Sequence, residues 1–346
     1  MKRLFCTLVC VGGITLSTVV PSTVQAQEKK TAEKTAYWGK SDLYLQKQAS
    51  VMLNLVDQAL DENPPVAGAP MTRKLALYNF DAIVHETKYD YTEPFNTFVK
   101  SRIDKVIADL QKPVKKGMRV YKLYNECVVA RTKSVTIAFD IVRRKIKTNQ
   151  IFSDEDIQKI VDQCDVMFLT HNHPDHVDPV VVDMFLKAGK PVMATANILK
   201  KKTDILHRRS DKVTKETLKL ANGKELLVTI FPGHQSELIN NIYAVTTPEK
   251  LTIAHAGDQY NKEDMEWIAN AKNDVPKLNA LFINCWTHRM SDVIAGFNPK
   301  VVITGHENEM GHTIDHREAF WLTFQKMEQI TTPYVVMGWG EWYNVK

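Results

Sequence analysis

Four side chains able to ligate a metal fall within six residues, His171, His173, Asp175 and His176, inside the stretch Thr170-His171-Asn172-His173-Pro174-Asp175-His176-Val177-Asp178. They directly follow Val166-Met167-Phe168-Leu169, an apolar run of strand length. Imidazole and carboxylate are ligands for divalent first-row metals. A tight turn just past a strand end lets several of them converge on one point. An ordinary polar loop does not set four ligands at fixed offsets behind a buried strand. This cluster constrains the fold more than any other feature, because it requires a strand that ends at a metal.

The rest of the chain repeats the arrangement. Phe231-Pro232-Gly233-His234 follows Leu226-Leu227-Val228-Thr229-Ile230, Ala256-Gly257-Asp258 follows Leu251-Thr252-Ile253-Ala254, and Gly305-His306 follows Val301-Val302-Ile303-Thr304. In a sheet covered by helices, the loops at one end of the strands line a common crevice, so residues far apart in sequence can meet there. Asp140 ends the run Thr136-Ile137-Ala138-Phe139 in the same way. His255, three residues before Asp258, is placed to orient a ligand through its second ring nitrogen. Trp286-Thr287-His288-Arg289 follows Ala280-Leu281-Phe282-Ile283-Asn284 and should open toward the crevice. There Arg289 could hold an anionic group by a bidentate contact and His288 could supply a proton. Glu307 to His312 could form a pocket wall. His312 and His316, four residues apart, fit ordinary surface positions equally well, and His85 and His207 read as core or surface residues.

With Asp140, the His171 cluster, His234, Asp258 and His306 in this order, the chain resembles the metallo-β-lactamase superfamily over residues 117–346. The resemblance implies an α/β fold, a four-layered αβ/βα sandwich, here preceded by a small helical N-terminal region. It implies that His171, His173 and His234 hold one metal, that Asp175, His176 and His306 hold a second, and that Asp258 bridges both. Asp140 would bond to the ligand loop rather than to metal. A water held between two such cations is the expected nucleophile, a hydroxide near neutral pH. Asp175 could orient it and later pass its proton to the leaving group. Zinc is the first choice for a His/Asp set, and manganese or iron suits the same ligands. The motifs look nearest to the branch that holds L-ascorbate-6-phosphate lactonase, with Gln259 and Glu307 departing from its pattern. The implied function is an exported dinuclear-metal hydrolase of a lactone, ester, amide or phosphodiester. One alternative is a β-lactamase-type activity, opposed by Asp258, which class B β-lactamases generally lack. Another is a non-catalytic exported metal-binding protein. The complete ligand set opposes it, since structural zinc sites are closed and mononuclear.

Residues 1–26 read as a secretory signal peptide: Lys2 and Arg3, then Leu4 to Val20, then Val24-Gln25-Ala26 as the cleavage site. Cleavage near Ala26 would place the chain in a periplasm or outside the cell, and no later segment is apolar over the roughly 18 residues of a membrane helix. The full chain carries a formal charge of +5, too mild a balance to argue for nucleic acid. A small, polar or anionic substrate is the expected partner. Cys127, Cys164 and Cys285 would remain after export, read as small buried hydrophobes, with at most one disulfide among them. Residues 27–116 form a helical N-terminal region. It has apolar stripes over Ser41–Glu62, Met71–Glu86 and, after Thr92-Glu93-Pro94, up to Leu110. It could cover one edge of the crevice or form a dimer surface. Past Gly117 short strands interleave with helices expected at Asp154–Gln163, Asp178–Ala188, Lys262–Lys272 and Arg317–Ile330.

Overall fold

The computed structural model describes residues 37–86, 93–146, 149–209 and 211–346, so the signal-peptide segment 1–26 lies outside the described residues. Residues 45–346 form one compact unit. Two seven-stranded mixed sheets dominate it. The first runs in spatial order Glu341–Val345, Met118–Tyr124, Cys127–Arg131, Thr136–Phe139, Val166–Leu169, Val192–Thr195, Leu206–Arg208. The second runs Tyr334–Val335, Val301–Gly305, Ala280–Asn284, Thr252–His255, Ile242–Thr246, Glu225–Phe231, Thr214–Lys219. Each sheet is antiparallel on one side and parallel on the other.

Strand alternation sorts the core into three layers. Ile137 and Phe139 of one sheet meet Ala280 and Phe282 of the other in the core between the sheets. Ala138, Met167 and Leu169 point the other way, into a core shared with helices. Leu281, Ile283 and Val302 pack outward from the second sheet against Ile268, Val293, Ile294 and Phe297. Helix, sheet, sheet, helix is therefore the order of layers. Strands buried on both faces read as unbroken apolar runs, which is why the motif-bearing strands are so visible in the sequence.

The N-terminal helices form at Ser41–Glu62, Met71–Val84 and Glu93–Leu110. Their buried stripes, including Leu53, Val56, Leu77, Phe80, Phe98 and Val106, join the outer core of the first sheet, where Phe80 and Phe95 meet Trp339 edge-on. Two polar contacts fix the helix Met71–Val84. Arg73 donates to Glu341 (Nη1 to Oε1, 2.9 Å) with both side chains buried. Asp81 accepts from the backbone N–H groups of Phe320 and Trp321 at 2.9 and 3.1 Å, supplying the cap that Ala319 lacks for the helix Phe320–Met327. That helix is shorter than the span Arg317–Ile330 expected for it. The Arg317 guanidinium holds the carbonyls of Val84, Met310 and His312, so its own segment is taken up as a loop. The expected helix Lys262–Lys272 divides into Met265–Ile268 and Ala271–Asp274.

Glu341 pairs with a buried cation, and losing one partner leaves the other charge uncompensated. Glu341→Gln should lower the unfolding free energy by about 3–5 kcal/mol, read from the shift in urea midpoint; a change within error would mean that the pair contributes nothing. Cys127, Cys164 and Cys285 are free and buried, and burial pushes the Cys164 thiol up to about 12. Folded protein at pH 8 should leave all three unmodified by a thiol reagent on peptide mapping, whereas denatured protein should react at each. Labelling of any of them in the fold would contradict the buried placement.

Candidate metal centre

The chemistry-bearing side chains sit at the carboxyl ends of the parallel strands of both sheets. Thr136–Phe139 delivers Asp140, Val166–Leu169 delivers His171 to His176, Thr252–His255 delivers Asp258, and Val301–Gly305 delivers His306. Two of these residues adopt left-handed backbone without being glycine: Asp140 at φ 49° and His306 at φ 71°. Such backbone costs about 1–3 kcal/mol per residue and persists where the surroundings over-determine it. Gly257 has φ 53°, and a Cβ there would meet Thr170 Cβ at 2.7 Å and also Asn240 Oδ1. Only glycine lets the loops of the two sheets approach this closely.

Asp140 organises the ligand loop from below. Its Oδ1 accepts from Thr170 N–H at 2.8 Å, and its Oδ2 from Thr170 Oγ1 at 2.6 Å and from His176 Nδ1 at 2.8 Å. Burial would raise the Asp140 carboxyl pKa, but the His176 hydrogen bond and charge outweigh it and hold it below the usual range. With Nδ1 turned to Asp140, His176 presents Nε2 to the centre, a buried atom without a hydrogen-bond partner. A buried ring nitrogen left unpartnered among carboxylates fits a metal ligand.

Asp258 lies at the centre. Its oxygens are 3.4 Å from His171 Nε2, 3.4 Å from His176 Nε2 and 3.7 Å from His306 Nε2. Asp175 Oδ2 is 3.5 Å from His176 Nε2 and 3.4 Å from His306 Nε2. These separations are long for hydrogen bonds, yet they match the ~3.3–3.4 Å between ligand atoms of a tetrahedral ion with bonds of about 2.0–2.1 Å. Three groups of residues bring one ligand atom each within 4.8 Å of one another: His171, His173 and Asp258; His176, Asp258 and His306; Asp175, His306 and His312. Asp258 is common to the first two. Asn284 Nδ2 and Gln235 Nε2 donate to its two oxygens at 2.6 and 3.0 Å, and its own N–H is held by Asn240 Oδ1.

The other expected site residues make different contacts. His234, expected beside His171 and His173, falls outside these groups; its Nδ1 meets Asp264 Oδ1 at 2.9 Å, which leaves Nε2 free. His255 acts on the turn that carries Asp258. It is stacked between Phe139 and Phe282, its Nε2 faces the Glu126 carbonyl at 3.0 Å, and its Nδ1 accepts from Gly257 N–H at 3.1 Å, so it fixes the turn before Asp258. Burial pushes its pKa down to about 4 and keeps the ring neutral for that role. Glu307 does not line a pocket wall. It is fully buried and ion-paired with Lys122, whose inward-facing ammonium needs a counter-charge more than the crevice needs a carboxylate. Trp286 lies against His306 with ring centroids 5.5 Å apart. A cavity of about 530 Å³ beside it is lined by Tyr260, Trp286, His288, Arg289 and Lys326 among others. Arg289 there is half-exposed and paired with Asp292 at 2.5 Å. Sequence reading missed Asn284, which sits at a strand end and could have been found by the same rule, and Asp264, which carries no local signal.

No family model matches this sequence, and no curated protein matches it. Solved structures do. A possible metal-dependent hydrolase from Veillonella parvula superposes with a TM-score of 0.51 at 13% identity, covering 66% of this chain and 100% of that one. Igni18, a metallo hydrolase from Ignicoccus hospitalis, gives 0.49 at 18% identity over 67% of this chain and 99% of its own. CmlA, a diiron β-hydroxylase from Streptomyces venezuelae, gives 0.47 at 14% identity over 68% and 55%. The chain therefore shares its fold, two mixed sheets between helix layers, with the Veillonella parvula structure. Among the described residues, no helix of this sandwich is long and apolar enough to cross a membrane.

Without a cation, the crowded carboxylates of the sandwich are balanced by protons. Burial alone would depress His306, but Asp258 and Asp175 lift it to about 9, and the same carboxylates raise His176 well above its ordinary value. A cation entering at pH 7 must displace protons from these rings. Calorimetric titration of zinc into chelator-stripped protein, in buffers of differing ionisation enthalpy, should show net release of about one proton or more at pH 7. Affinity should weaken as pH falls from about 9. Buffer-independent enthalpies would show that the ligands are already deprotonated.

Proposed function

We propose that this chain is an exported, dinuclear metal-dependent hydrolase acting on a small lactone, ester, amide or phosphodiester. In this reading His171, His173 and His234 serve one divalent ion, Asp175, His176 and His306 a second, and Asp258 both; zinc is the first candidate. When bound, such ions acidify water and polarise the bond to be cleaved. The observation that carries the reading is Asp258, buried within 3.4–3.7 Å of three imidazoles drawn from the strand-end loops of both sheets.

The chain's own groups account for the remaining work. Asp140 fixes the His176 tautomer, so that Nε2 rather than Nδ1 faces the centre. Asn284 and Gln235 hold the Asp258 carboxylate in one orientation. Asp175 is the proton carrier: its carboxylate sits between His176 and His306, close enough to take a proton at the attacking oxygen and return it to the leaving group. The cavity beside Trp286 is the substrate's entry, with His288 and Arg289 on its rim. The segment 1–26 directs export, and the mature chain begins near Gln27.

Purified protein stripped by chelator and reloaded with zinc should recover turnover of bis-p-nitrophenyl phosphate or of a lactone panel, and leave nitrocefin largely untouched. Asp175→Asn that retains both metals should lose about 10²–10⁴-fold in kcat. Full turnover in that variant would remove Asp175 from the reaction, and metal-independent activity would overturn the reading as a whole.

A further inference from the structure

His312 lies six residues beyond His306, outside every motif, yet its ring belongs to the metal-ligand cluster. Asp175, His306 and His312 each offer a ligand atom within 4.8 Å of the others. His306 Nε2 is 3.4 Å from Asp175 Oδ2 and 3.7 Å from Asp258 Oδ2, and His306 belongs to both the His312 group and the Asp258 group. His312 Nδ1 meets the His316 carbonyl at 3.2 Å, which commits it as a donor and leaves Nε2 with the lone pair.

The loop that presents His312 is held rigidly from below. Asn308 donates to Asp81 at 2.8 Å, Glu309 accepts from Asn125 and Arg144 at 2.7 Å each, Met310 N–H donates to the Tyr124 hydroxyl at 2.8 Å, and Arg317 holds the His312 carbonyl at 3.0 Å. Trp286 stacks on His312 with ring centroids 5.4 Å apart, while His306 and His312 are 5.3 Å apart. A half-exposed histidine of ordinary surface character has no need of such support. A ligand does, because its ring must be in place before the cation arrives.

We propose that His312 is an additional protein ligand of the second metal, beside Asp175, His176, His306 and Asp258. This deepens the dinuclear reading above and rests on it. Five protein donors exceed the four of an ordinary zinc site and suit a five- or six-coordinate ion, with room for one exogenous oxygen. Manganese(II) and iron(II) accept that number readily.

The test uses full-length protein stripped by chelator and titrated with cobalt(II), whose visible bands are weak at coordination five or six and intense in a tetrahedron. Wild type should take up two equivalents, the second with weak bands. His312→Ala should bind the first equivalent as before, lose about ten- to a hundredfold in affinity for the second, the range that even outer partners of a metal site command, and show stronger bands per ion. His316→Ala, which also removes a ring from Trp286 but lies outside the cluster, should match wild type. Two equivalents with unchanged affinity and spectrum in His312→Ala would overturn the ligand assignment while leaving the dinuclear site standing. A single equivalent in wild type would overturn the dinuclear site and the His312 assignment with it.

Discussion

A buried carboxylate among imidazoles sets the terms for everything around it. Asp258 is 4% exposed and far from bulk water, where an ionised carboxyl is costly unless opposite charge or hydrogen bonds replace the lost solvent. Burial would raise its pKa, but His176, His306 and His171 reverse the direction and hold it well below the usual range. The ring that makes this compensation tightest, His176, is itself fixed by Asp140 one layer deeper. Asp140 in turn closes the ligand loop through Thr170. The chain of dependence runs from the end of one strand to the end of the next, and its Asp140 links are short, charge-assisted contacts in a dry environment, where such contacts are strong.

The helical N-terminal region enters this chain rather than standing apart from it. Its stripes share a core with the first sheet, and Asp81 reaches from the helix Met71–Val84 to hold Asn308 and the start of the helix Phe320–Met327. The segment between His306 and Phe320 is thereby tied at several points to buried groups that lie behind it. Burial pushes Asp81 up to about 6 despite three donors. Below that pH its proton weakens acceptance from the donors, so the support of the His306 loop is set by a group well outside the metal cluster.

Local motifs made much of the site legible, and long-range packing hid the rest. The strands ending at residues 139, 169, 255 and 305 are apolar on both faces, and each hands over a ligand within a few residues, so sequence alone locates Asp140, His171, His173, Asp175, His176, Asp258 and His306. The stacking of His255 between Phe139 and Phe282 has no local signal, because those partners come from other strands. Glu307 was misjudged although a signal existed: Lys122 shares the inward face of its strand with Met118 and Val120, and an inward lysine demands a buried acid. His312 had no signal within its own segment. Its place depends on Glu309 and Arg317, whose partners are distant in sequence. The strand Glu341–Val345 also went unread, since its register is set by Met118–Tyr124 at the far end of the domain.

Strain completes the picture. His306 holds a left-handed backbone that no glycine relieves, in a loop whose next residue is locked to Lys122 and whose N–H meets the Asn125 carbonyl at 3.3 Å. A loop free to relax would turn the His306 ring away and abolish the strain. The buried Glu307–Lys122 pair that follows it prevents this, at a cost that makes sense only if the position of the ring matters more than the comfort of the backbone. The same reasoning covers Asp140, also left-handed and also tied on both oxygens. Two strained residues at one cluster, each anchored by buried polar partners, indicate a geometry selected for the position of its side chains.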